Sequence, residues 1–163
     1  MEKAEFQGYL KLLRELTKTL TQLTALERRK LEAVRANDVQ AVDDCIRQEQ
    51  VLSLSLRGAE QRRGKLLKEL GLEPEPLSKL AEHAPEGLRQ EAREAMKALR
   101  DSYDEYRSSS DAARSALERV LHDVDRMLAD AKQKAPQQSG LRRSPRQEAE
   151  PAPEGGHGAD FKA

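Results

Sequence analysis

Residues 20–46 read LTQLTALERRKLEAVRANDVQAVDDCI. Leu20, Leu23, Leu26, Leu31 and Val34 recur mostly at steps of three and four, the period of one helix face. Asn37-Asp38 breaks the run, and Val39, Val42 and Ile46 start a second one. Asn37 suits the N-cap of that second helix, with Gln40 three residues on to complete a capping box. Two amphipathic runs joined by so short a break predict an antiparallel helical hairpin. A turn at Asn37 also sets Arg28-Arg29-Lys30 near Asp43 and Asp44. That attraction is worth only a few tenths of a kcal/mol per exposed pair, roughly, but it opposes slippage.

Upstream, Phe6, Leu10, Leu13 and Leu16 extend the first run, so the first helix is predicted over about 2–36. Gly8 is its only weak former. Downstream, Leu52, Leu56, Ala59, Leu66 and Leu70 continue the second stripe, with Glu49 and Arg63 at two seam positions. Cys45, beside Ile46, reads as a small buried apolar residue. Gly71 followed by Leu72 is the pattern of a glycine cap with its apolar contact, so this helix is predicted over 38–70. Glu73-Pro74-Glu75-Pro76 is an extended linker, because each proline disfavours helix in the residue before it. Leu77 to His83 reads as one short helical stretch ended by Pro85, which suits the first turn of the next helix.

A third helix is predicted from about Glu86 to Lys134. Its seam is Leu88, Ala92, Ala95, Leu99, Tyr103, Tyr106, Ala113, Leu117, Val120, Val124, Met127 and Ala131, close to a strict heptad. Arg107-Ser108-Ser109-Ser110-Asp111 interrupts it with residues that compete for backbone hydrogen bonds, so the helix is expected to bend or open there. Beyond it, Leu121 and Leu128 widen the face past a two-helix seam. A face that wide contacts two neighbours as a rule. It either packs on the hairpin or receives an amphipathic helix from another protein along one edge.

From Ala135 onward the pattern is lost. Four of the seven Pro and four of the nine Gly fall here, with four basic and four acidic residues, the composition of a disordered tail. The expected organisation is a helical domain over 1–134 and a Pro/Gly-rich tail over 135–163. The fold class is all-α: a long antiparallel hairpin plus a long third helix, an elongated three-helix bundle or coiled coil.

Composition agrees. Of 163 residues, 29 are Lys or Arg and 29 Asp or Glu; aromatics are 3% and Trp is absent. With 23 Leu against six Val and one Ile, a β-sandwich or barrel lacks its β-branched and aromatic residues. Zero net charge argues against general nucleic-acid affinity. No apolar run approaches the roughly 18 residues of a membrane span. No charged region followed by an apolar core opens the chain, so no secretory signal is expected. A single cysteine forms no internal disulfide, which fits a reducing compartment.

No catalytic constellation stands out. Glu118, His122 and Asp125 share a helix side, but a carboxylate-bridged di-iron bundle needs two Glu-x-x-His motifs and two further glutamates. An ordinary surface pair four residues apart is the favoured reading. Ser108 to Ser110 have no adjacent base and no elbow glycines. There is no phosphate-cradling G-x-x-x-x-G-K. The basic clusters Arg62-Arg63-Gly64-Lys65 and Arg142-Arg143-Ser144-Pro145-Arg146 are flanked at once by glutamates, which favours solvated surface. No enzyme site, metal or cofactor is expected.

The order of features resembles the flagellar export chaperone FlgN family. The likeness lies in Arg35-Ala36-Asn37-Asp38-Val39, then Ile46-Arg47-Gln48-Glu49-Gln50-Val51-Leu52, then Ala59-Glu60-Gln61-Arg62-Arg63-Gly64-Lys65-Leu66-Leu67-Lys68-Glu69-Leu70-Gly71, and it covers about residues 4–132. Where the family often has an Asn-rich stretch in its third helix, this chain has Asp104 to Ser110. The resemblance implies a small cytoplasmic chaperone of flagellar type III secretion. Such a protein binds hook-associated (hook–filament junction) proteins through their C-terminal helices, prevents premature assembly and delivers them to the export apparatus, without a cofactor. It further implies substrate binding by the last helix, here Leu117, Val120, Leu121, Val124, Met127 and Leu128. The expected free state is a monomer or small homo-oligomer. The alternative from another class is a self-associating coiled-coil scaffold or tether.

Overall fold

Phe6, Leu10, Leu13, Leu16, Leu20, Leu23, Leu26 and Val34 line one side of the first helix, α1, which spans Lys3–Arg35. All are buried, as their spacing requires. In the computed structural model, which describes residues 3–72 and 77–134, the buried strip is wider than that seam. It also takes in Tyr9, Leu12 and Ala33, with the polar Thr24 and Glu27. The extra width has a cause: α1 is covered from two sides, by α2 and by the first part of α4. Leu31 is only half-buried.

The turn after α1 corrects the expected cap. Asn37 adopts the left-handed conformation, φ +55°. The Asn37 N–H donates to the Val34 carbonyl (3.1 Å) and the Asp38 N–H to the Ala33 carbonyl (2.9 Å). This is a Schellman closure with Asn at the position glycine commonly fills, which Asn tolerates better than other side chains. The N-cap of the next helix is therefore Asp38, whose carboxylate accepts from the Ala41 N–H at 3.1 Å. Gln40 does not turn back to close a box; its amide donates to Asp44.

Helix α2 spans Val39–Glu69 and lies antiparallel to α1. The register differs from the expected one. Lys30 meets Glu49 (2.8 Å) rather than Asp43 or Asp44, and Glu15 meets Arg62 (3.8 Å). Asp43 instead pairs with Arg47 on its own helix. Only Cys45, Ala59 and Leu67 of α2 are fully buried. Ile46, Leu52, Leu56, Leu66 and Leu70 are half-buried, and Val39, in the first turn, is exposed.

Gly71 ends α2 as its position suggested. Its φ is +68°, and the Leu72 N–H donates to the Leu67 carbonyl at 3.0 Å. Both leucines are buried, which supplies the apolar contact of that motif. The linker 73–76 lies outside the described residues. Helix α3, Leu77–Leu80, passes into one turn of 3-10 helix, Ala81–His83. Leu80, Ala81, Ala84 and Leu88 are buried and join the core.

Helix α4 spans Arg89–Lys134, starting three residues later than the sequence implied. The reason is a tight turn. The Leu88 N–H donates to the Pro85 carbonyl (3.0 Å), with Gly87 at φ +90°. Only glycine takes that conformation without strain, so Pro85 opens a turn rather than a helix.

The chain divides into two compact units, Met1–Arg119 and Val120–Ala163. In the first, the core joins Phe6 to Leu20, Ala59, Leu67, Leu72, the Leu80–Leu88 segment and Ala92, Ala95, Met96 and Leu99. Arg14 pairs with Glu91 at 3.4 Å, and Tyr106 stands beside Glu27 and Glu49. The first part of α4 therefore runs parallel to α1. Tyr106 is half-buried and Ala113 fully buried, but Tyr103, expected on the seam, is 53% exposed. The Arg107–Asp111 stretch stays helical throughout. The described part of the second unit is the continuation of α4 from Val120 to Lys134.

The all-α expectation holds: three long helices and no strand occur among the described residues. The expected tail, 135–163, lies outside them.

Candidate functional site

The polar groups inside the first unit come first, because a buried charge is costly unless something holds it there. Glu27 is 1% exposed on α1, one turn before Lys30. The Lys30 ammonium lies 3.1–3.2 Å from both Glu27 oxygens and 2.8 Å from Glu49 across the hairpin. Two carboxylates thus share one cation. Burial, reinforced by the hydrogen bond with Glu49, pushes the Glu27 carboxyl up to about 7 against the pull of Lys30. Burial acts on Glu49 in the same sense, but its hydrogen bonds with Glu27 and Lys30 outweigh it and hold Glu49 below the ordinary carboxylate range. The Tyr106 phenol is raised, first by burial and then by the two carboxylates. The cluster has no nucleophile among the described residues, and the shallow surface cleft that reaches it at Glu49 is lined otherwise by Ile46, Gln50, Ser53, Leu54 and Arg57. Its chemistry is that of a structural ion-pair network.

Tyr9 is a second buried polar group. Its side chain is fully buried, and its hydroxyl faces the Arg63 guanidinium without a well-aligned hydrogen bond among the described residues. Burial raises its pKa, opposed by the nearby Arg63, which itself forks onto Glu60 at 3.0 and 3.2 Å. Cys45 is buried and free, as its place beside Ile46 implied. Glu118, His122 and Asp125 are all exposed. No group of three His, Cys, Asp or Glu among the described residues is placed to hold a metal ion.

What the surface does offer is apolar. Eight large apolar side chains are exposed among the described residues: Val39, Val51, Leu54, Tyr103, Leu121, Val124, Met127 and Leu128. Four of these fall within eight consecutive positions of α4, which makes that stretch a patch rather than scatter. Leu121 is 56% exposed, Val124 44%, Met127 69% and Leu128 57%. The positions 120, 124, 127 and 131 recur at three and four, so they lie in line, with Leu121 and Leu128 beside them. Val120 is half-buried, and so is Leu117 at the end of the first unit. The wide face expected to contact two neighbours is therefore open along 121–128.

Val51 and Leu54 on α2 are each 67% exposed and were not among the expected site residues. The signal for them was present: both are apolar, and both fall off the stripe that Leu52 and Leu56 define.

An open apolar strip thus lies near the end of the last described helix. A family model described as FlgN protein matches residues 1–149. The chain belongs to the FlgN family. No curated protein and no solved structure matches it. Membership makes this FlgN-family chain a flagellar export chaperone, of a family that binds export substrates and is not enzymatic. No described helix is long and apolar enough to cross a membrane.

Proposed function

We propose that this chain is a cytoplasmic chaperone of flagellar type III secretion that binds hook-associated proteins. It grips their C-terminal helices, keeps them from assembling early and hands them to the export apparatus. The binding surface in this reading is Leu117, Val120, Leu121, Val124, Met127 and Leu128. Residues 1–134 act as the helical chaperone-like domain and residues 135–163 as a Pro/Gly-rich tail. No cofactor is required.

The observation that carries the reading is the exposure of Leu121, Val124, Met127 and Leu128 on one stretch of α4. Family membership supplies the class of client. The physics supplies the reason. A subunit awaiting export presents an apolar helix that would self-associate. A Leu/Val/Met strip covers such a helix, and the unbranched, polarisable Met adapts to more than one packing.

Calorimetric titration with the C-terminal helical regions of the hook-associated proteins tests this. Saturable one-to-one binding at micromolar affinity or tighter is expected. The absence of any binding by a demonstrably folded protein refutes the reading. Light scattering across a concentration series adds a check: growing assemblies would favour a self-associating scaffold.

A further inference from the structure

The charges beside the apolar strip of α4 are ordered along it. At 100° per residue, Asp123 and Lys134 lie on one side of Val124, Met127 and Leu128, eleven residues and three turns apart. Asp125 and Lys132 lie on the other side, seven residues and two turns apart. On each side the acid comes first and the base last. Both pairs have the same midpoint, between Leu128 and Ala129. All four side chains are exposed, and none is in an ion pair among the described residues. Asp130 lies further round the helix, one turn before Lys134, and Arg126 faces away. The strip and its rims are therefore self-complementary on reversal: a two-fold axis beside Leu128 turns each acid onto a base.

We propose that a second copy of the chain covers the strip, its α4 antiparallel to the first, with Asp123 of each copy facing Lys134 of the other and Asp125 facing Lys132. A client helix then takes the place of the second copy. Only that exchange rests on the proposed function; the pairing needs no client. The two-fold contact uses one patch on both copies, so each ion pair occurs twice. Between the pairs, Met127 packs against Ala131, Leu128 against its own copy, and Val124 against the methylene stem of Lys134. Other alignments bring like charges together. In parallel pairing, Asp123 comes beside Asp125 and Lys134 beside Lys132. An antiparallel alignment that faces Val124 with Met127 overlaps more of the strip, but it sets Asp125 against Asp125 and Asp123 beside Asp130. Exposed ion pairs add little affinity, yet they choose between alignments of one apolar face. The paired length, from Asp123 to Lys134, is about 17 Å. A contact that short falls below the roughly 1,200 Å² of a stable interface, so the dimer dissociates on dilution. A weak cover suits a surface that a client has to reach.

Sedimentation equilibrium of the full chain tests the pairing. At low salt the average mass is expected to rise from that of one chain towards that of two, with a midpoint on the order of 100 µM. Near 0.5 M salt, where screening is strong, it is expected to fall back. The variants D123K/D125K and K132E/K134E, their helicity checked by circular dichroism, are each expected to stay monomeric, because every rim pair becomes like-charged. Mixed in equal amounts they are expected to dimerise again, because every pair between them is opposite in sign. A folded wild-type chain that stays monomeric at millimolar concentration would overturn the proposal. So would D123K/D125K that still pairs, which would mean another alignment, or mass that grows past two chains. The exchange has its own readout. Adding the C-terminal helical region of a hook-associated protein is expected to convert the dimer into one-to-one complexes. A dimer that binds this region without dissociating would overturn the exchange and move the client site off the strip, leaving the pairing in place.

Discussion

Tyr9 and Glu27 are two polar side chains in an otherwise apolar strip of α1, and each has a measurable consequence. The Tyr9 hydroxyl is buried beside the Arg63 guanidinium but makes no well-aligned hydrogen bond among the described residues, so removing it relieves a desolvation cost at the loss of a weak contact. Tyr9→Phe is expected to leave the melting temperature unchanged or raise it, whereas Tyr9→Ala loses about 3–5 kcal/mol with the ring. Calorimetric melts of both variants check this, and a marked fall for Tyr9→Phe would mean the hydroxyl has a partner after all. Glu27 gives a pH dependence. Its folded pKa, about 7, lies above its unfolded value near 4.5. The folded state therefore holds a proton that the unfolded state releases. Its contribution is complete below about pH 4.5 and is lost as pH rises through 7. Glu49, held low, contributes in the opposite sense, but its window lies below that of Glu27. Glu27→Gln should accordingly raise stability at pH 8 relative to the parent, by a few degrees in melting temperature. It should also flatten the decline between pH 5 and 8. An unaltered pH profile in denaturant melts would contradict a proton held on the buried Glu27. Glu49 was legible in the sequence, because a charge on a seam position signals a buried pair. Glu27 holds a seam position too, four residues after Leu23 and seven before Val34, but a stripe traced through apolar residues alone passes over it.

At the scale of the element, the helices and their ends differ in how far the sequence announced them. Periodicity located three long helices and the Gly71 cap. It misassigned the α1–α2 turn, because Asn37 and Asp38 are both good cap residues and only backbone geometry shows which one takes the left-handed position. That assignment can be tested directly. Asn37→Gly is expected to be neutral or mildly stabilising, since glycine takes φ +55° freely. Asp38→Ala is expected to cost about 1 kcal/mol, because the Ala41 N–H loses its acceptor. Equilibrium urea melts would show the opposite order if Asn37 were the N-cap. The same limit explains the late start of α4. A proline after a short helix suits a first turn and a tight turn equally, and the glycine two residues on decides for the latter. Along α4, the serine-rich stretch looked like a break but stays helical. Small hydroxyl side chains on a helix otherwise anchored at Tyr106 and Ala113 weaken it without ending it.

Considered whole, the chain keeps the residues that hold its first unit together separate from those proposed to hold a client. Leu13 is wholly buried in the core, and Leu13→Ala is expected to cost about 2–5 kcal/mol. The strip residues Leu121, Val124, Met127 and Leu128 are 44–69% exposed and support little packing. This is why periodicity alone left the strip's role open: a seam that packs and a seam that waits for a partner have the same spacing, and only burial tells them apart. The separation makes a double prediction. Val120→Asp combined with Val124→Asp is expected to abolish binding of the hook-associated helical regions while lowering the melting temperature by no more than a degree or two. Leu13→Ala is expected to do the reverse, lowering the melting temperature strongly while leaving affinity unchanged wherever the protein remains folded. Calorimetric titration and thermal melts on the same preparations read both axes. If the double aspartate variant unfolds the chain along with its binding, those valines serve the fold, and the docking surface has to be sought instead around the exposed Val51 and Leu54 of α2.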